Sequence, residues 1–154
     1  TVYEAADNLH KHGIKIMLQS MVGLPGSTLK DDFETLKMNM KIKPLYAWVS
    51  IFQPYPGLEL TEYAAKHGYL DIDFDKIDKK FFENSVLKIE KIKQREHLQK
   101  WFAIAADYPI LYYSRLLHLL INMPRNSVVK KAYIWAWKKF RDHKDSQLYG
   151  LQLA

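Results

Sequence analysis

The chain has 154 residues, and its 48% hydrophobic content with many aromatics is enough to build a packed core, which excludes a disordered segment. The absence of cysteine excludes disulfides, thiolate metal sites and a cysteine nucleophile within it. The net charge of +6 is uneven: residues 1–78 carry 8 Lys against 11 acids, and residues 79–154 carry 15 Lys or Arg against 6.

Val2, Ala5, Ala6 and Leu9 recur at helical spacing, and Gly13 stands where a helix stops, so a helix is predicted from the first residues. A helix without lead-in, in a chain starting at Thr1, is the expectation for a piece cut from a longer protein. Glu4 and Asp7 speak against a secretory signal there, so the expected location is cytoplasmic. Ile14 to Val22 is a nearly unbroken apolar run, which predicts a strand buried on both faces of a parallel sheet. Gly23-Leu24-Pro25-Gly26 ends it, and Thr28 with Asp31 forms a capping pair. Leu29, Phe33, Leu36 and Met40 line one face of the helix that follows, which must end before Pro44. Tyr46 to Gln53 reads as a second strand, completing a βαβ unit.

After Pro54-Tyr55-Pro56-Gly57, a short helix over 60–67 stops at Gly68 and an acidic loop runs over 71–78. The remainder reads as three helices, roughly 80–106, 109–122 and 127–142, with fraying from Asp145. The expected division is therefore 1–70 and 71–154. Asp71, Asp73 and Asp75 have the opening spacing of a calcium loop, but Lys76 and Phe82 stand where its glycine and bidentate glutamate belong. The six histidines show no ligand pattern, and neither a metal site nor a catalytic acid, base or nucleophile is assigned.

Two short motifs carry the chemistry. Glycines beyond a parallel strand let backbone approach a ligand, although Gly23–Gly26 alone could be a tight turn. The run MVGLPGSTLKDDFETL, followed about 30 residues later by WVSIFQPYPGLEL, resembles radical S-adenosylmethionine proteins of the cobalamin-binding-domain type. Gly23, Leu24, Pro25, Gly26 and Thr28 match the family's GLPGET motif, with Ser27 in place of Glu. Pro54, Tyr55, Pro56 and Gly57 match its PYPGT motif, with Leu58 in place of Thr. The resemblance covers residues 1 to about 90 and is looser beyond.

That resemblance implies an α/β fold: the fifth and sixth strands of a partial (β/α)6 barrel, followed by a helical extension. It implies a parent enzyme that performs radical methylation, cyclisation or rearrangement at an unactivated carbon of a small-molecule or lipid-like substrate. A CxxxCxxC loop in the missing N-terminal part of the same chain would hold the iron–sulfur cluster. The resemblance leaves cobalamin use open. By position, Met21, Gly23, Ser50, Phe52 and Gln53 would contact S-adenosylmethionine, and a larger residue at Gly23 would impair cofactor binding more than folding. The fragment alone, without cluster cysteines, would be inactive.

Two other readings stand beside this one. Residues 127–142 interleave Lys130, Lys131, Lys138, Lys139 and Arg141 with Tyr133, Trp135, Trp137 and Phe140, a composition suited to an anionic membrane surface or a partner protein. Nucleic acid fits that composition less well, and a helix packed on its own protein explains it equally. A different α/β enzyme with phosphate at Gly23–Gly26 is disfavoured, because no Lys or Arg lies between Val22 and Leu29.

Overall fold

The computed structural model describes residues 1–70, 85–124 and 126–149. Its elements are α1 (Val2–Lys11), β1 (Met17–Val22), α2 (Leu29–Ile42), β2 (Tyr46–Ile51), α3 (Glu59–Lys66), α4 (Ile92–Asp107), α5 (Ile110–Tyr113), α6 (Leu116–Ile121) and α7 (Ser127–Tyr149). The fold is α/β, mostly helical with two parallel strands.

The first half follows its local signals. Thr28 and Asp31 close a reciprocal capping box at the start of α2. The helix ends on Lys43 in a left-handed conformation, immediately before Pro44. A 14-residue helix between the strands is too long for a hairpin, and β1 and β2 pair in parallel, Met17 opposite Tyr46 through Val22 opposite Ile51. Phe52 adds one more rung by donating its N–H to the Val22 carbonyl at 2.9 Å.

Side chains alternate along each strand, so the register divides the sheet into two faces. One carries Val22, Ala47 and Val49 into the main core, with Phe33, Leu36 and Met40 from α2 and Leu98, Phe102, Ala105 and Ala106 from α4. Leu117 and Ile121 of α6 close the same core. The other face carries Met17, Gln19 and Met21 beside Tyr46, Trp48 and Ser50. Here the structure corrects the sequence-based expectation that β1 is buried on both sides. Met17 is 59% and Met21 46% exposed, because no second layer among the described residues covers them. Similarly, of the α1 stripe only Ala6 is buried.

The helical second half departs further from its periodicity. The helix expected over 80–106 begins only at Ile92, after Lys91 in a left-handed conformation. Residues 85–89 are irregular, with Leu87 and Ile89 buried against Phe52, Ala64 and Leu70. That burial outweighs the residues' helical preference. The segment expected as one helix over 109–122 breaks at Ser114 and Arg115, the latter at φ 62°. Conversely, α7 continues past Asp145, tied down by buried Lys144, which donates to Asp107 at 2.7 Å. The acidic loop expected over 71–78 lies outside the described residues. Among those residues no helix is long and apolar enough to cross a membrane.

Candidate functional site

Parallel pairing places the loops after β1 and β2 at one edge of the sheet, the edge where α/β folds bind ligands. In the first loop Gly23 is buried at φ 73° and donates its N–H to Asp32 Oδ1 at 3.1 Å. Asp32 is itself buried in the first turn of α2 and pairs with Arg95 of α4, whose Nη2 lies 3.0 Å from Oδ1 and whose Nε donates to Oδ2. Arg95, fully buried, also donates to the Ser27 carbonyl at 2.9 Å and to the Ser27 hydroxyl. That hydroxyl donates onward to the Leu24 carbonyl at 2.7 Å. One guanidinium from α4 thus clamps both ends of the Gly23–Ser27 loop. A planar, five-donor fork suits several fixed acceptors at once.

The second loop is anchored at its root and open at its tip. Gln53 and Pro54 are buried, whereas Tyr55 and Leu58 are exposed. A Cβ on Gly57 would meet nothing within 4 Å, whereas one on Gly23 would lie 2.9 Å from Ile51 Cγ1. Gly23 is therefore required by the packing of the chain on itself. A larger residue at Gly23 is expected to cost folding beside any effect on a cofactor.

The five residues singled out from sequence divide accordingly. Met21 and Ser50 are register partners on the bare face. Phe52 packs inward with Leu70, Leu87 and Ile89, and Gly23 sits under its loop. Gln53 is buried at the root of the second loop. Sequence reading missed Asp32 and Arg95. The available signal was a carboxylate on the inward stripe of α2, one residue before Phe33 and four before Leu36, since a buried carboxylate demands a partner.

Away from this edge, the first four residues of β2, with α4 and α7, enclose a cavity of about 780 Å3. Five aromatic side chains line it: Tyr46, Trp48, Trp101, Tyr133 and Trp137. His97 Nδ1 lies 3.1 Å from the Ile121 carbonyl, and burial pushes its pKa below the ordinary value. Burial pushes the Tyr133 phenol up to about 12, so it stays protonated. On α7 the face turned to the protein carries Tyr133, Trp137 and Phe140, while Val128, Ile134 and Trp135 stay exposed at 71%, 51% and 67%. Comparison with protein-family models, curated proteins and solved structures returned no match for this chain.

Proposed function

We propose that this chain is the C-terminal part of a radical S-adenosylmethionine enzyme, with β1 and β2 as the last strands of a partial (β/α)6 barrel. In this reading residues 1–70 belong to the barrel and 71–154 to the helical extension. The observation that supports it best is one juxtaposition. Two motif-bearing glycine loops leave neighbouring parallel strands at the same edge, beside a sheet face where Met21 is exposed and Ser50 opposite it is half-buried. In a closed barrel that face is the interior.

The residues present fit one wall of an adenosyl slot. Met21 offers a polarizable thioether, and Ser50 beside it offers a hydroxyl that can donate or accept. Gly23 and Phe52 act behind that wall, holding the loop and the strand end in place. S-adenosylmethionine, with an iron–sulfur cluster held elsewhere in the parent, would supply the radical chemistry when bound. This chain contributes orientation and exclusion of water; its zero cysteines leave cluster ligation to the rest of the parent.

The test uses the full-length parent, reconstituted anaerobically with its cluster. Ser50→Trp fills the bare face without entering the main core, so folding should persist. Affinity for S-adenosylmethionine should fall about tenfold or more, measured by equilibrium dialysis. Unchanged affinity in a folded, cluster-loaded variant removes the assigned wall. A parent sequence with no CxxxCxxC loop upstream of Thr1 removes the whole reading.

A second reading is favoured by the outer face of α7, where exposed Val128 and Trp135 alternate with exposed Lys131, Lys138 and Lys139. Each Lys near an anionic leaflet contributes roughly 1 kcal/mol, so this face suits adsorption to an anionic membrane. Co-sedimentation with phosphatidylserine vesicles at low salt should carry the chain down. Changing Lys138 and Lys139 together to Glu should cut the bound fraction several-fold. No sedimentation at low salt eliminates the membrane.

A further inference from the structure

The cavity beside β2 lies apart from the glycine loops. It is built from the first four residues of the strand, Tyr46 to Val49, whereas the loops leave the strand's far end. Its volume falls within the roughly 300–1,000 Å3 of small-molecule sites. Three of the chain's four tryptophans, Trp48, Trp101 and Trp137, line it, with Ala103, Leu120, Val129 and Ile134 filling the gaps. Such walls accept an extended or flat apolar body and offer few hydrogen bonds along it.

The polar lining includes Gln99, Asn126 and Ser127 as well as two lysines. Lys100 and Lys130 line the cavity, and among the described residues no carboxylate does. Lys130 is exposed, so it stands at the opening, while Lys100 is half-buried. An anion entering this cavity meets the exposed Lys130 ammonium at the opening. A cation meets repulsion from the same group. His97, the third titratable nitrogen-bearing side chain, is directed to the Ile121 carbonyl, and burial favours its neutral form. Tyr133 remains an uncharged phenol able to donate.

We propose that this cavity is a binding site for a monomeric anionic amphiphile, a molecule with a long apolar body and a single carboxylate or phosphate head. The body lies against Trp48, Trp101 and Trp137, and the head sits at the opening against Lys130. A lysine suits this role because its stem packs along the apolar wall while its ammonium stays in water. The proposal rests on the cavity alone and on no radical chemistry, so it stands or falls separately from the S-adenosylmethionine reading.

Palmitate is the probe, titrated below its aggregation threshold into the 154-residue chain, with folding checked by circular dichroism. Because three of four tryptophans line the cavity, occupancy should register as a saturable, one-to-one change in tryptophan fluorescence. Lys130→Glu, an exposed substitution that leaves the core intact, should weaken binding about tenfold, the scale of one charged hydrogen bond. Hexadecylamine, with the same chain length and opposite charge, should bind more weakly by a similar factor. Three results overturn the proposal: no saturable response to palmitate from the folded chain, equal affinity in Lys130→Glu, or hexadecylamine binding as tightly as palmitate. A tryptophan response to sealed phosphatidylserine vesicles with none to palmitate also overturns it, since that pattern places the recognition on a lipid surface.

Discussion

Replacing Arg95 with methionine is expected to destabilise the chain by about 3–5 kcal/mol, a large share of the roughly 5–15 kcal/mol that holds a domain folded. The reason is what the substitution leaves behind. Asp32 stays buried but loses the only guanidinium beside it among the described residues, keeping the Gly23 N–H as a donor. The Ser27 carbonyl and hydroxyl lose their donors in the same step. Urea unfolding of Arg95→Met, Asp32→Asn and the double variant measures the effect. The double variant should be much less destabilised than the sum of the singles, because removing both charges leaves no uncompensated one. A loss below about 1 kcal/mol in Arg95→Met means that water solvates Asp32, and the clamp is then not a buried ion pair.

Gly23→Val should cost about 2–6 kcal/mol, from two sources that can be separated. A β-branched residue at φ 73° is strained by roughly 1–3 kcal/mol wherever it sits. Crowding Ile51 in a packed core adds about 1–3 kcal/mol more, since the new Cβ starts 2.9 Å from Ile51 Cγ1 and 3.3 Å from Cδ1. Gly57 supplies the control. Its φ of 81° imposes a similar backbone penalty, and a Cβ there meets nothing within 4 Å. Comparing Gly23→Ala with Gly57→Ala by thermal unfolding therefore isolates the packing contribution, with Gly23→Ala expected to be the worse by about 1–3 kcal/mol. Equal losses would show that Ile51 swings aside and that space under the loop is not limiting. On the proposed radical S-adenosylmethionine reading, a loss of cofactor binding in Gly23→Val would then report the fold before a contact, which is why Ser50→Trp is the better probe.

The βαβ unit was legible in the sequence because every signal in it is local. The capping pair Thr28–Asp31, the stripe of Phe33, Leu36 and Met40, and the stop before Pro44 each act within a few residues, and α2 follows all three. A crossover of that length then left parallel pairing as the consistent outcome, and the register follows it. Periodicity misled where a segment's partner is distant. Leu87 and Ile89 leave the helical pattern to fill the space around Phe52 and Leu70. The Ser114–Arg115 break carries no sequence signal of the kind that Pro or Gly provides.

Only tertiary structure decided which residues are spent on folding and which remain for a ligand. Gly23, Phe52, Met21 and Ser50 look alike as motif neighbours, yet the first two are consumed by packing and the last two share a bare face. Arg95 lies 63 residues from Asp32, and no local pattern announces that one guanidinium will reach both α2 and the loop before it. The aromatic cavity likewise draws on β2, α4 and α7, with Trp48 and Trp137 far apart along the chain. Short-range propensity shapes elements through backbone and neighbouring side chains. Burial, pairing of buried charge and the shape of a cavity depend on groups that meet only after the elements have docked.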